Sequence, residues 1–112
     1  MKIKDIAAIL EAEILTGESY LDVEVEEFAV SDLLSDVLTL NKENFLLLTG
    51  LTTQQVVRTI EIAGGIGVVF MRGKTPEQEA IGLARSHRIP LLMTSKTTFE
   101  ACQKIIEAMN KK

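Results

Sequence analysis

Three short apolar runs, FLLLT (45–49), GVVFM (67–71) and PLLMT (90–94), begin at nearly equal intervals in a chain of 112 residues. None of them alternates with polar residues. A strand wetted on one face alternates, whereas a strand covered on both faces of a parallel sheet is apolar throughout. Each run is followed by a turn and then by a helical pattern. The apolar stripes of those helices are read as Val56, Val57, Ile60 and Ala63; Ala80, Ile81, Ala84 and His87; and Phe99, Cys102, Ile105, Ile106 and Met109. A strand–helix unit repeated three times predicts parallel strands joined by right-handed crossovers. The expected fold is α/β, one small domain over residues 1–112, mainly a parallel sheet with flanking helices.

The helix starts point the same way. Thr52 with Gln55, Thr75 with Gln78, and Thr97 with Glu100 have the spacing of capping boxes. Pro76 is expected at the first helical position after Thr75. Gly64-Gly65 reads as a helix stop, and Arg85, His87 and Arg88 place cations at the negative end of the second helix.

The first third is organised differently. Ile3, Ile6, Ala7 and Leu10 share a helical face, and EILTG (13–17) is a short extended piece. LDVEVEEFAV (21–30) alternates, which predicts a half-exposed strand near an edge. SDLLSDVLTL (31–40) reads as a helix capped by Ser31 or Asp32.

Composition narrows the functions available. Apolar residues make up 46% of the chain but aromatics only 4%, so the apolar content is aliphatic, and part of it is expected at a subunit interface of a homodimer. A net charge of −4 argues against general nucleic-acid binding. The charge is uneven: residues 1–50 carry 3 basic and 11 acidic side chains, residues 51–112 carry 9 and 5. The simplest reading is that the halves neutralise each other within one fold. No apolar run approaches the ~20 residues of a membrane span, and Lys4 and Asp5 interrupt the N-terminal apolar residues, so a cytoplasmic protein without a signal peptide is expected. One cysteine, Cys102, leaves no internal disulfide or cysteine-based zinc site.

Phosphate-binding loops of the Gly-x-x-x-x-Gly-Lys type are absent, and GGIGVV precedes a strand instead of following one. His87 is the sole histidine and reads as structural; Cys102 reads as a small core residue. No nucleophile–base pair, metal cluster or cofactor site is expected. What remains is topological. The C-terminal ends of parallel strands lie on one edge, where open α/β sheets take ligands. That edge gathers Ser31, Asp32, Thr49, Gly50, Arg72, Lys74, Ser95 and Lys96. Capping does not account for Arg72, Lys74 and Lys96. Cations beside helix N-termini are mildly unfavourable, and an anion among them reverses the sign.

The segments IAAILEAEILTG, SDLLSDVL, LLLTGLTTQQVVRTIEIA, VVFMRGKTP and IPLLMTSKTTFEAC, in this order, resemble the DRTGG domain family over nearly the whole chain. The name motif is not literally present. Ser31-Asp32-Leu33 stands where family members carry Gly-Asp-Arg, and Thr49-Gly50-Leu51 where they carry Thr-Gly-Gly. The resemblance implies a fold like the N-terminal domain of HPr kinase/phosphorylase, also found inside phosphotransacetylases and beside CBS pairs in regulated pyrophosphatases. In those settings the domain is regulatory or oligomerising and is not the catalytic part. The resemblance therefore implies a non-catalytic module, homodimeric, sensing a small anionic ligand such as a phosphorylated metabolite or nucleotide. The alternative is an accessory subunit of a larger metabolic or redox enzyme complex, with a protein partner and no ligand of its own.

Overall fold

A computed structural model describes residues 1–111. Helix α1 (Ile3–Leu10) is followed by β1 (Glu13–Thr16), a 3-10 turn (Glu18–Tyr20), β2 (Glu27–Val30), α2 (Leu34–Leu38), β3 (Phe45–Thr49), α3 (Gln54–Ala63), β4 (Gly67–Phe70), α4 (Gln78–Ser86), β5 (Leu91–Met93) and α5 (Thr98–Met109). The five strands form one sheet in the order β1-β5-β4-β3-β2. β2, β3, β4 and β5 run parallel, and β1 closes one edge antiparallel to β5. The three apolar runs are thus the three central strands, mutually parallel, as their lack of alternation requires.

Alternate side chains along those strands feed two cores. Phe45, Leu47, Val68, Phe70 and Leu91 pack against α3 and α4 through Val56, Val57, Ile60, Ala80 and Ala84. Leu46, Leu48, Val69, Met71 and Leu92 pack against α1 and α5 through Ile3, Ile6, Leu10, Ala101 and Ile105. A strand that serves both cores needs an apolar residue at every position, and Phe45–Thr49 is buried throughout.

Several local expectations are corrected. Of the three capping boxes, only Thr97 with Glu100 forms: Thr97 Oγ1 accepts the Glu100 amide at 3.2 Å and Glu100 Oε1 accepts the Thr97 amide at 2.9 Å. Helix α3 starts after Thr53 and α4 after Glu77, neither with a side-chain cap. Thr52 instead gives its carbonyl to the Glu77 amide at 2.9 Å, and Thr75 Oγ1 meets Met93 Sδ at 3.6 Å. Pro76 therefore lies two residues short of the first helical residue. The helix expected over 31–40 shrinks to Leu34–Leu38 with the uncapped Leu33 before it, and the strand expected over 21–30 to its last four residues.

The second and third stripes are also shifted. His87 lies outside the core, at the end of α4, with its Nδ1 against Glu61 Oε2. The buried residues of α5 are Ala101 and Ile105, while Phe99, Ile106 and Met109 remain exposed. The helix stop holds: Gly64 ends α3 at φ 85°, the left-handed conformation that glycine adopts at least cost.

Candidate functional site

The turns that leave β2, β3, β4 and β5 meet at one edge of the sheet. Two of them are built alike. Thr49 ends β3 and Thr94 follows β5; both are buried, and each hydroxyl accepts the amide two residues on, Leu51 at 3.1 Å and Lys96 at 3.2 Å. Their hydroxyl protons differ in destination. Thr94 Oγ1 donates to the Leu10 carbonyl at 2.7 Å, tying the end of α1 to the edge. Thr49 Oγ1 donates to Asp32 Oδ1 at 2.9 Å.

Asp32 is the centre of the arrangement. The same Oδ1 accepts the Gly50 amide at 2.8 Å, and Oδ2 stands 3.6 Å from Arg72 Nη2. The Gly50 amide foremost, then the Thr49 hydroxyl and the Arg72 charge, holds its carboxyl below the usual carboxylate range, against a smaller opposing effect of burial. The corner between β3 and α3 is therefore an anion cradle, and the anion in it is the chain's own carboxylate.

Arg72 reaches the corner from an unusual backbone. It adopts φ 59° and Gly73 φ 67°, two consecutive left-handed residues. Their amides donate across the edge to the Lys96 and Thr94 carbonyls, each at 2.9 Å. This turn aims the Arg72 side chain over Gly50, where an added Cβ would overlap Nη2. Nη1 donates to Thr98 Oγ1 at 3.1 Å. One guanidinium thus joins the turn after β2 to the start of α5.

Of the residues expected at this edge, Asp32, Thr49, Gly50 and Arg72 come together. Ser31 lies beside them but closes its own turn, accepting the Leu33 amide at 3.0 Å. Lys74 is exposed on the rim and has no ion-pair partner among the described residues. Ser95 is exposed and takes part in none of these bonds. Lys96, expected as a free cation, is instead paired: its Nζ lies 3.1 Å from Glu11 Oε1 and its side chain is largely buried. Thr98 and Glu11 were not foreseen; the doubling of threonine at 97–98 is the signal that one of them is available for something other than the cap. The two ion pairs Asp32–Arg72 and Glu11–Lys96 each join the acidic half of the chain to the basic half, as charge balance within one fold requires.

A concavity of about 300 Å³ lies at the opposite edge between Tyr20, Gly65, His87 and Arg88. Among the described residues no group of three His, Cys, Asp or Glu side chains is placed to hold a metal, and no helix is long and apolar enough to cross a membrane.

A family model described as the DRTGG domain matches residues 5–108. No curated protein matches the sequence. Among solved structures the chain is similar to the CBS and DRTGG domains of the regulatory region of Clostridium perfringens pyrophosphatase, determined in complex with its activator, diadenosine tetraphosphate. The identity is 18% and the TM-score 0.79, over 96% of this chain and 46% of that one. The chain thus spans about half the length of that regulatory region, and the likeness at this identity is one of fold.

Proposed function

The chain belongs to the DRTGG domain family, and on that premise we propose that it is a non-catalytic regulatory and oligomerisation module whose C-terminal sheet edge takes a small anionic ligand, phosphorylated or nucleotide. The observation that carries this reading is the cradle at Gly50. Its amide, the Thr49 hydroxyl and the Arg72 guanidinium converge on one carboxylate, and Lys74 stands on the rim. A phosphate oxygen has the same acceptor chemistry as Asp32 and makes stronger bidentate bonds to a guanidinium. The Arg72–Asp32 contact at 3.6 Å is loose and half exposed, so it opposes exchange only weakly. A ligand that displaces Asp32 frees the turn before α2, a helix of one turn and a half, and so converts binding into a movement.

The regulatory setting of the similar pyrophosphatase region supports the same reading at the level of the module. The accessory-subunit reading is favoured by one observation of its own, that the cradle is already filled by Asp32.

Thermal melting against inorganic phosphate, sugar phosphates and adenine nucleotides separates the two. A ligand at ~100 times its dissociation constant adds about 2.7 kcal/mol to stability, a rise of several degrees. Arg72→Gln should abolish the rise. Asp32→Asn should tighten binding about fivefold by removing a like charge at contact distance. A panel that shifts neither the parent chain nor the Asp32→Asn variant at millimolar concentration overturns the ligand reading in favour of the partner subunit.

A further inference from the structure

Among the described residues, five other than glycine hold a left-handed backbone. Asn41 and Asn44 are of a type that tolerates it. The other three are charged: Glu11 at φ 51°, Arg72 at φ 59° and Arg88 at φ 58°. Two of these three use the side chain so held. Glu11 pairs with Lys96 at 3.1 Å, and Arg72 spans Asp32 and Thr98. Arg88 has no ion-pair partner among the described residues. It follows the end of α4, where the Ile89 amide closes on the Ala84 carbonyl at 2.9 Å. Glycine is the usual residue at the left-handed position of such a helix end. A cation gains from the negative end of the helix dipole, but at an exposed end that gain is smaller than the cost of a left-handed arginine. The Arg88 side chain is therefore held for a partner outside the chain.

The surroundings of Arg88 define that partner. With Tyr20 it lines two adjoining concavities where the strands β4 and β5 begin. The smaller, of about 180 Å³, is bounded by Arg85, Glu18 and Ser19. Arg85 Nη2 donates to the Leu15 carbonyl at 3.1 Å, which holds that guanidinium in place. The larger, of about 300 Å³, is walled by Val23, Ile66, Ile89 and Pro90. Its one carboxylate, Glu61, is engaged by His87. Two arginines and one glutamate leave the smaller space one positive charge in excess, which suits a single negative charge and opposes a second. We propose that this edge binds a small aromatic monocarboxylate, its carboxylate between Arg85 and Arg88 and its ring in the larger space beside Tyr20. A planar carboxylate matches the fork of a guanidinium. A ring, unlike a flexible chain, also draws on the Tyr20 face and the Arg88 cation. The site lies at the opposite end of the strands from the Gly50 cradle and does not depend on it.

Titration of the isotope-labelled full chain with phenylacetate, followed by amide chemical shifts, tests it. The expected result is saturable shifts at Tyr20, His87 and Arg88 with a dissociation constant of about 1 mM, within reach of a ligand of this size. Phenyl phosphate, with its second charge, should bind about tenfold more weakly, and benzyl alcohol, with none, should give no saturable shift. Arg88→Gly removes the side chain and suits the left-handed backbone. It should weaken phenylacetate binding about tenfold while the melting temperature holds or rises. Arg88→Asn, which also tolerates that backbone, gives the same comparison should the glycine variant fail to fold. An unchanged dissociation constant in these variants overturns the site. So does tighter binding of phenyl phosphate than of phenylacetate, or shifts confined to Gly50 and Arg72 at the other edge. A melting temperature several degrees lower in Arg88→Gly shows that the fold itself uses the arginine and overturns the argument from its backbone. The absence of any saturable shift with phenylacetate at ~10 mM overturns the proposal outright.

Discussion

The Arg72 guanidinium lies directly over Gly50, so that residue 50 has room for a hydrogen and for nothing larger. Gly50 does not have a positive φ, so its backbone conformation is open to any residue. What excludes a Cβ is the far end of a flexible side chain. Gly50→Ala should therefore push Arg72 off Asp32 and Thr98, at a cost of about 1 kcal/mol in lost hydrogen bonding and ion pairing. In an Arg72→Ala background the same change should be neutral or stabilise by about 0.5 kcal/mol, because alanine restricts the unfolded chain more than glycine does. A double-mutant cycle by urea unfolding reads the difference. Equal costs in both backgrounds would show that the guanidinium is not what reserves the space.

The threonines at the helix starts make a contrast that a cap count alone would miss. Thr97→Ala removes the capping box of α5, the one of the three expected boxes that forms, and should cost about 1 kcal/mol, lowering the melting temperature by about 4 °C. Thr52→Ala removes a side chain that caps nothing; its contribution runs through its carbonyl to Glu77, which alanine retains. Its effect should stay within about 0.5 kcal/mol. Calorimetry of the two variants side by side decides it.

The legible part of the chain was the part governed by burial. Continuous apolar runs can be satisfied only between two helical layers, so β3, β4 and β5 and their direction followed from residues 45–49, 67–71 and 90–94. The Ile3, Ile6, Ala7 and Leu10 face of α1 was equally plain, and all four are buried. What failed was local polar chemistry with more than one solution. A threonine three residues before a glutamine can cap a helix, but the same hydroxyl can serve a turn or meet a sulfur, and tertiary context chose the latter for Thr75. Apolar spacing on α5 reads as one core stripe, because a helix face that meets the sheet and one that stays exposed have the same period.

The candidate site divides along the same line. Strand ends brought Asp32, Thr49, Gly50 and Arg72 to one edge, as topology dictates. Asp32 reads as one of two candidate caps, beside Ser31, and as an edge residue; it caps no helix and reaches across to another turn. Lys96 was read as a free cation, yet a glutamate at the end of α1, remote in sequence, neutralises it. Pairings across 85 residues leave no local signature.

Thr16 supplies a third test. It sits where the β1 register against β5 shifts. Its hydroxyl, fully buried, donates to the Ile89 carbonyl at 2.7 Å and accepts the Leu91 amide at 3.1 Å. Thr16→Val preserves the shape but leaves both backbone groups buried and unpaired. The expected cost is about 2–3 kcal/mol, seen as a lower urea midpoint with an unchanged slope. A loss under ~1 kcal/mol would show that water reaches the bulge.

The Asp32 carboxylate makes stability depend on pH in a direction that can be worked out. Its folded pKa is lowered, first by the Gly50 amide and then by Thr49 and Arg72. A group whose pKa is depressed by folding adds stability above its unfolded value, about 3.9, and loses it as pH falls through the folded value. Asp32→Asn keeps an oxygen for Thr49 and Gly50 but removes the charge. At pH 6–7 the parent chain should be the more stable, by less than about 1 kcal/mol, because the carboxylate is 54% exposed and water screens it. Below pH ~4 the gap should narrow as the proton goes on to Asp32, and it should close once the parent is protonated there. Melting temperatures of the two chains measured from pH 2.5 to 7 give the gap directly. A gap that stays constant across that range would mean that the corner holds the oxygen and not the charge, and the case for exchanging Asp32 with a phosphate at the same cradle would fall with it.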